Sequence, residues 1–278
     1  MPAYMQSSEM AKRKPVTVPG LRAMKARGEK IAMLTCYDAS FAAQMEAAGI
    51  DVVLVGDSLG NVVQGHSSTL PVTLDDIVYH TRLVSRGVAA TLLIADMPFM
   101  QFRDPDIALA AAARLMAEGG AAMVKLEGGS DWVCEVIARL VKHDVPVCAH
   151  LGLTPQSVHK LGGYRMQGKT DDAAARLRAE AREVALAGAE LLVLESVPAA
   201  LAASITRELT IPTIGIGAGV DCDGQVLVCY DMLGITPGRR PKFSKDFLSG
   251  RGSVRDAIAA YADDVRAGRF PGPEQIAG

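Results

Sequence analysis

The chain has 278 residues, 49% of them hydrophobic, and a formal net charge of −2 at pH 7. That is ample apolar material for a large core, and the near-neutral balance excludes a broad electrostatic attraction to nucleic acid. No eighteen apolar residues run together and the opening lacks a continuous apolar segment, so neither a membrane span nor export is expected.

The five cysteines, Cys36, Cys134, Cys148, Cys222 and Cys229, show no CxxC spacing, and Cys36 and Cys148 sit inside apolar runs. They read as reduced core residues, which suits a cytoplasmic setting. The basic KRK at 12–14 reads as part of a solvated, flexible N-terminal tail of about 15 residues.

In chain order, VPGLRAMKARG predicts a short helix, and Ile31 to Asp38 a first strand ending in an acid. ASFAAQMEAAG is a helix stopped by Gly49, and DVVLVGDS a second strand. Strict alternation puts Val53, Val55 and Asp57 on one face of it. After the loop LGNVVQGHSSTLPVT, a helix runs from Leu74 to about Arg86, with Thr73 as N-cap and Asp75 and Asp76 in the first turn.

In ATLLIADMPF, Leu92, Ile94 and Asp96 share a face, and the next helix runs from Pro105 to Glu118. The fourth strand, AAMVKLEGG, places Lys125 and Glu127 on one face and Leu126 on the other. Burying that pair in a dry core is costly, so the strand is expected to emerge at an open end.

Helix DWVCEVIARLVKH, with Trp132 packing in it, precedes VPVCAHLGLTP, whose tip carries His150. The glycine-rich loop 162–170 reads equally as a lid or as a surface excursion. Helix 171–187 leads to AELLVLESVP, where Val193 and Glu195 share a face. Helix 199–209, IPTIGIGAG and QVLVCYDMLG follow; the gap between the last two hardly holds a helix, so a seventh helix is vestigial at most. Helix 253–266 and a proline-containing C-terminal tail finish the chain.

Eight apolar strands alternating mostly with helices, with no compositional break, argue for an α/β protein: one (β/α)8 TIM barrel over residues 1–278, with an open doubly wound sheet as the alternative. In such barrels chemistry sits at the C-terminal strand ends. Asp38, Asp57, Asp96, Lys125, Glu127, His150 and Glu195 are all expected there.

Were Asp57, Asp96, Glu127, Glu195 and Lys125 to converge, four negative charges against one positive would repel. A divalent cation relieves this, and carboxylate oxygens favour a hard ion such as Mg²⁺. A 2-oxo acid would then be polarised toward an enolate, and one carboxylate must stay free to take the carbon-bound proton. Glu195, on a strand remote in sequence order, is the best candidate. His150 is an accessory group, with a substrate role and a structural one equally open. IGIGAG lies where barrels often bind phosphate, although its glycines also suit close backbone approach. His66, His80, His143 and His159 read as surface or packing residues.

VGDSLGNVVQGHSSTLPVT, ADMPF, MVKLEGG, HLGLTPQSV, LLVLESVP and IPTIGIGAG, from about Thr35 to Phe247, together closely resemble the ketopantoate hydroxymethyltransferase family. The resemblance implies a magnesium-dependent (β/α)8 enzyme of pantothenate and coenzyme A biosynthesis. Such an enzyme moves a hydroxymethyl group from 5,10-methylenetetrahydrofolate to 3-methyl-2-oxobutanoate, giving 2-dehydropantoate. It also implies Asp57, Asp96 and Glu127 as metal-associated acids. By the same likeness Asp57, Ser58, Asp96 and Lys125 contact the oxo acid, Glu195 is the proton acceptor, and the assembly is a large homo-oligomer, commonly a decamer. Ser196 departs from the pattern, since cysteine often follows the catalytic glutamate; it touches no expected role. The rival readings are a magnesium-dependent lyase or mutase of the phosphoenolpyruvate mutase and isocitrate lyase type, and a non-catalytic ligand-binding barrel.

Overall fold

The computed structural model describes residues 13–238 and 240–276. Eight parallel strands close on themselves in sequence order: β1 Ile31–Thr35, β2 Val52–Val55, β3 Leu92–Asp96, β4 Met123–Glu127, β5 Val147–Gly152, β6 Leu191–Glu195, β7 Thr213–Ile216 and β8 Gly224–Leu227. The barrel is therefore closed, and the open-sheet alternative falls. Short β-branched and leucine-rich runs build it because both faces of each strand are covered, one by the barrel interior and one by helices.

The helices are α1 Val18–Ala26, α2 Ala39–Ala47, α3 Leu59–Val62, α4 Leu74–Val84, α5 Pro105–Ala113, α6 Asp131–Val141, α7 Val158–Leu161, α8 Asp171–Leu186, α9 Ala199–Glu208, α10 Cys229–Met232 and α11 Val254–Arg266. Their starts follow local chemistry. Thr73 and Asp76 form a reciprocal capping box on α4. Asp104 accepts the Asp106 and Ile107 N–H groups at the start of α5. The expected helix to Glu118 does continue past α5, but as a π turn, Arg114–Glu118. Residues 217–223 between β7 and β8 hold no helix.

Two apolar clusters divide the core. Inside the barrel, Ile31, Met33, Val52, Leu54, Leu92, Ile94 and Met123 pack with their counterparts on the later strands, and Leu21 of α1 joins them. Val53, Val55, Leu93, Val124 and Leu126 belong to the other cluster, beneath the helices. The buried Tyr261 of α11 fastens the β1–β8 seam, its hydroxyl lying 2.9 Å from both the Met33 and the Gln225 carbonyl oxygens.

Most of the expected N-terminal tail, residues 1–12, lies outside the described residues, as do residues 277 and 278 at the end of the C-terminal tail. Arg13 of the basic stretch does not behave as a solvated charge: it pairs with the buried Asp51 at 2.5 Å. Among the described residues no helix is long and apolar enough to cross a membrane, and all five cysteines are free.

Candidate active site

The alternation of β3, β4, β5 and β6 sends Asp96, Lys125, Glu127, His150 and Glu195 into the barrel mouth, as the sequence predicts. There they line a cavity of about 640 Å³ together with Asp57 and Ser58. Asp57 arrives by another route. β2 ends at Val55, and Val53 and Val55 face the helices, so strand alternation carried to Asp57 would have turned it outward. Gly56 and Asp57 instead turn into α3, and the Asp57 N–H donates to Asp96 Oδ2 at 2.9 Å. Gly56 suits this turn because a Cβ there would lie 2.9 Å from Ser58 Oγ.

Asp38 leaves the expected group altogether: its carboxylate caps α2, accepting the Ser40 and Phe41 N–H groups. His66, His80, His143 and His159 are not among the cavity-lining residues. Trp132 stacks on Phe102 with ring centroids 6.0 Å apart, but it remains half exposed rather than packed within the helix layer. The glycines of IGIGAG serve close approach. A Cβ on Gly217 would meet the Phe243 ring at 3.0 Å and one on Gly219 would meet Ala199 at 2.6 Å.

Electrostatics in the mouth are tightly interdependent. Lys125 Nζ lies 2.7 Å from Asp96 Oδ1, an ion pair by distance but outside hydrogen-bond alignment. Burial works against the ammonium, yet Asp96, Glu127 and Asp57 together hold its pKa above the ordinary lysine value. Burial pushes the Asp57 carboxyl up to about 8, helped by Asp96 and Glu127 and opposed by Lys125 and the Gln156 amide. Asp96 also rises, chiefly through burial, with Lys125 opposing. Two neighbouring buried acids thus compete over one negative charge.

His150 bridges two carboxylates, with Nδ1 3.4 Å from Glu127 Oε1 and Nε2 3.4 Å from Glu195 Oε2. Glu195 is the most open of the cavity acids, its side chain 14% accessible against 3–4% for Asp96 and Glu127. Its neighbour Ser196 lines the cavity in a left-handed backbone conformation, φ 49°. The Ser196 carbonyl accepts from Gln167 of the 162–170 loop, and Tyr164 and Met166 of that loop also line the cavity.

Among the described residues no three His, Cys, Asp or Glu side chains gather into a ready-made metal cage. The donor set nevertheless fits a hard ion that keeps most of its coordination for water and substrate. Glu127 Oε1 and Asp96 Oδ1 are buried without hydrogen-bond partners and belong to side chains lining the cavity.

A family model described as ketopantoate hydroxymethyltransferase matches residues 15–273. The chain belongs to the ketopantoate hydroxymethyltransferase family. Proteins named 3-methyl-2-oxobutanoate hydroxymethyltransferase from Burkholderia multivorans and Burkholderia thailandensis are each 58% identical to it over 271 residues, covering 98% of both chains. The protein of that name from Paraburkholderia phymatum is 57% identical with the same coverage. Solved structures share the fold at lower identity. A phosphoenolpyruvate phosphomutase from Streptomyces platensis subsp. rosaceus has a TM-score of 0.59 at 13% identity, covering 78% of this chain and 83% of that one. A phosphonopyruvate hydrolase complexed with oxalate and Mg²⁺ gives 0.58 at 13%, covering 90% and 96%.

In this ketopantoate hydroxymethyltransferase family member, sequence reasoning missed two polar residues. Gln156, in the turn Pro155–Ser157 after β5, is buried and touches both Asp57 and Glu127. It lies within HLGLTPQSV, but a neutral residue beyond a strand end gives alternation arguments nothing to act on. Tyr37 is buried with its hydroxyl 2.8 Å from Ser58 Oγ, fixing the serine at the cavity wall.

Proposed function

We propose that the chain transfers a hydroxymethyl group from 5,10-methylenetetrahydrofolate to 3-methyl-2-oxobutanoate with the help of Mg²⁺, giving 2-dehydropantoate for pantothenate and coenzyme A synthesis. The observation carrying this reading is the division of labour in the mouth. Asp57, Asp96, Glu127 and Lys125 form one buried charged group, while the more accessible Glu195 stands apart, paired with His150.

When bound, Mg²⁺ would supply electrophilic polarisation of the ketone oxygen, and Asp57, Asp96 and Glu127 would hold it. Lys125, kept charged by its acid neighbours, holds the substrate with Ser58. Glu195 takes the proton from C3, and the electron pair left behind becomes the enolate. C3 then attacks the one-carbon unit, with tetrahydrofolate leaving and water supplying the hydroxyl. A cavity of about 640 Å³ has room for more than a five-carbon acid, which suits a large second substrate.

A lyase or mutase reading draws support from fold alone. The relatives' names, the oxo-acid site and an oligomer, a decamer by family resemblance, form one consistent reading for a cytoplasmic enzyme. The test is NMR detection of 2-dehydropantoate from the two substrates, with magnesium present and then chelated. Magnesium-dependent product supports the assignment. Exchange of the C3 proton in deuterated water without product would retain the enolising site and remove the folate; the absence of both signals would refute the reading.

A further inference from the structure

The geometry points to Gln156 as the positioning residue that makes Asp57 and Glu127 present one oxygen each to a divalent cation. Its backbone N–H donates to Glu127 Oε2 at 3.0 Å. Its side-chain Nε2 donates to Asp57 Oδ2 at 2.9 Å and to the Met97 carbonyl at 3.1 Å. One residue from the turn after β5 therefore reaches the acids following β2 and ending β4, and the backbone just past β3.

The amide orientation follows from its partners. Turned over, Oε1 would face a carboxylate and a carbonyl, both acceptors, so only Nε2 fits that side. Both amide hydrogens are then committed, and Oε1 is left buried without a partner. Burying an amide with an unmet acceptor is unfavourable by itself. What it accomplishes is selection: Asp57 Oδ2 and Glu127 Oε2 are held by hydrogen bonds, while Glu127 Oε1 has none and faces the His150 ring at 3.4 Å.

Asp96 adds to the pattern, since its Oδ2 accepts the Asp57 N–H while its Oδ1 lies 2.7 Å from Lys125 Nζ. Each acid thus has one oxygen fixed by a hydrogen bond, which favours single-oxygen ligation and leaves coordination positions for water and a 2-oxo acid. Hydrogen-bond partners of metal-ligating carboxylates typically change affinity or activity by about 10- to 100-fold when removed.

This inference rests on the divalent-cation reading above. The experiment is Mn²⁺ titration of the full-length protein, followed by electron paramagnetic resonance, for wild type and Gln156→Met, with the unfolding midpoint of each cation-free protein. Methionine keeps the length and loses both donors; the backbone N–H to Glu127 remains. The expected result is Mn²⁺ affinity weakened about 10- to 100-fold, a matching rise in the magnesium needed for half-activation, and a kcat that recovers at saturating magnesium. Affinity within twofold of wild type overturns the role of Gln156. Should Gln156→Met not fold, Gln156→Asn, which keeps the amide but is one methylene short, is read by the same criteria. Wild-type protein that binds no Mn²⁺ removes the cation reading itself, and this inference with it.

Discussion

His150 Nε2 lies 3.4 Å from Glu195 Oε2, so the acid proposed to take the substrate proton has a buried imidazole at its side. Burial and Lys125 disfavour the imidazolium, but Glu127 and Glu195 outweigh them and push its pKa up to about 9. The ring is therefore charged at neutral pH and stands as a cation beside Glu195. Its stabilising contribution is full below the unfolded value near 6.5 and lost as pH rises through 9. His150→Gln should slow C3 proton exchange about tenfold, in line with loss of a close charged partner beside the proposed base. Wild type should show a falling alkaline limb near pH 9 that the variant lacks; an unchanged limb would assign that titration elsewhere.

Glu195→Gln removes the base but keeps the shape of the side chain. General-base catalysis typically contributes about 10²- to 10⁴-fold, and exchange of the C3 proton should fall by that order. Oxo-acid and cation binding, measured by calorimetry, should stay close to wild type because the buried acids are untouched. Normal exchange would take the role of base away from Glu195.

Asp57 is pushed up to about 8 by burial and by its neighbours Asp96 and Glu127, so below that pH a cation must displace a proton. Raised carboxyl pKa values mean that the cation-free protein binds more protons folded than unfolded between about pH 4 and 8, and its stability should fall across that window as pH rises. Magnesium affinity should move the other way, weakening about tenfold for each pH unit below 8. Calorimetry at pH 6 and 8 in buffers of different ionisation heat should show about one proton released at the lower pH. Affinity independent of pH would mean that the Asp57 and Asp96 pair is not the cation's binding place.

Much of this site is legible in the sequence. Apolar runs set the strands, and alternation along them brought Asp96, Lys125, Glu127 and Glu195 to one mouth because Asp96, Glu127 and Glu195 end their strands facing inward and Lys125 shares the face of Glu127. Asp57 was expected at the mouth for a reason that fails: Val53 and Val55 face the helices, and the acid enters only because the chain turns at Gly56. Asp38 shows the opposite error, since an acid at a strand end is also the preferred cap of the next helix. Gln156 escaped notice because its importance lies in contacts between distant segments, which no local pattern encodes. Arg13 likewise looked like tail until Asp51 supplied a buried partner.

The Lys125–Asp96 pair is nearly inaccessible, with side chains 5% and 3% exposed. Removing one partner of a buried pair typically costs about 3–5 kcal/mol because the other charge is left unpaired, whereas replacing both with apolar groups is often close to neutral. Lys125→Met and Asp96→Leu should each lower stability substantially in urea unfolding, and the double variant should lose less than the sum of the two. All three should fail to turn over substrate. Additive losses would show that the two charges do not depend on each other.

Gly152 ends β5 with φ at 93°, where its register partner is Glu195. A Cβ at this position would lie 2.2 Å from the Glu195 carbonyl oxygen and 2.7 Å from Val197. Backbone cannot yield as a flexible side chain does, so Gly152→Ala must shift the end of β6 and with it the proposed base. Left-handed strain at a non-glycine residue costs about 1–3 kcal/mol, and the contact adds to that. Catalysis should suffer more than stability, because a displacement of about 1 Å in a catalytic group can reduce rate about 100-fold. Stability by urea unfolding and C3 exchange by NMR separate the two effects. Equal activity in a folded Gly152→Ala protein would show that the Glu195 carboxylate holds its place without this tight β5–β6 approach.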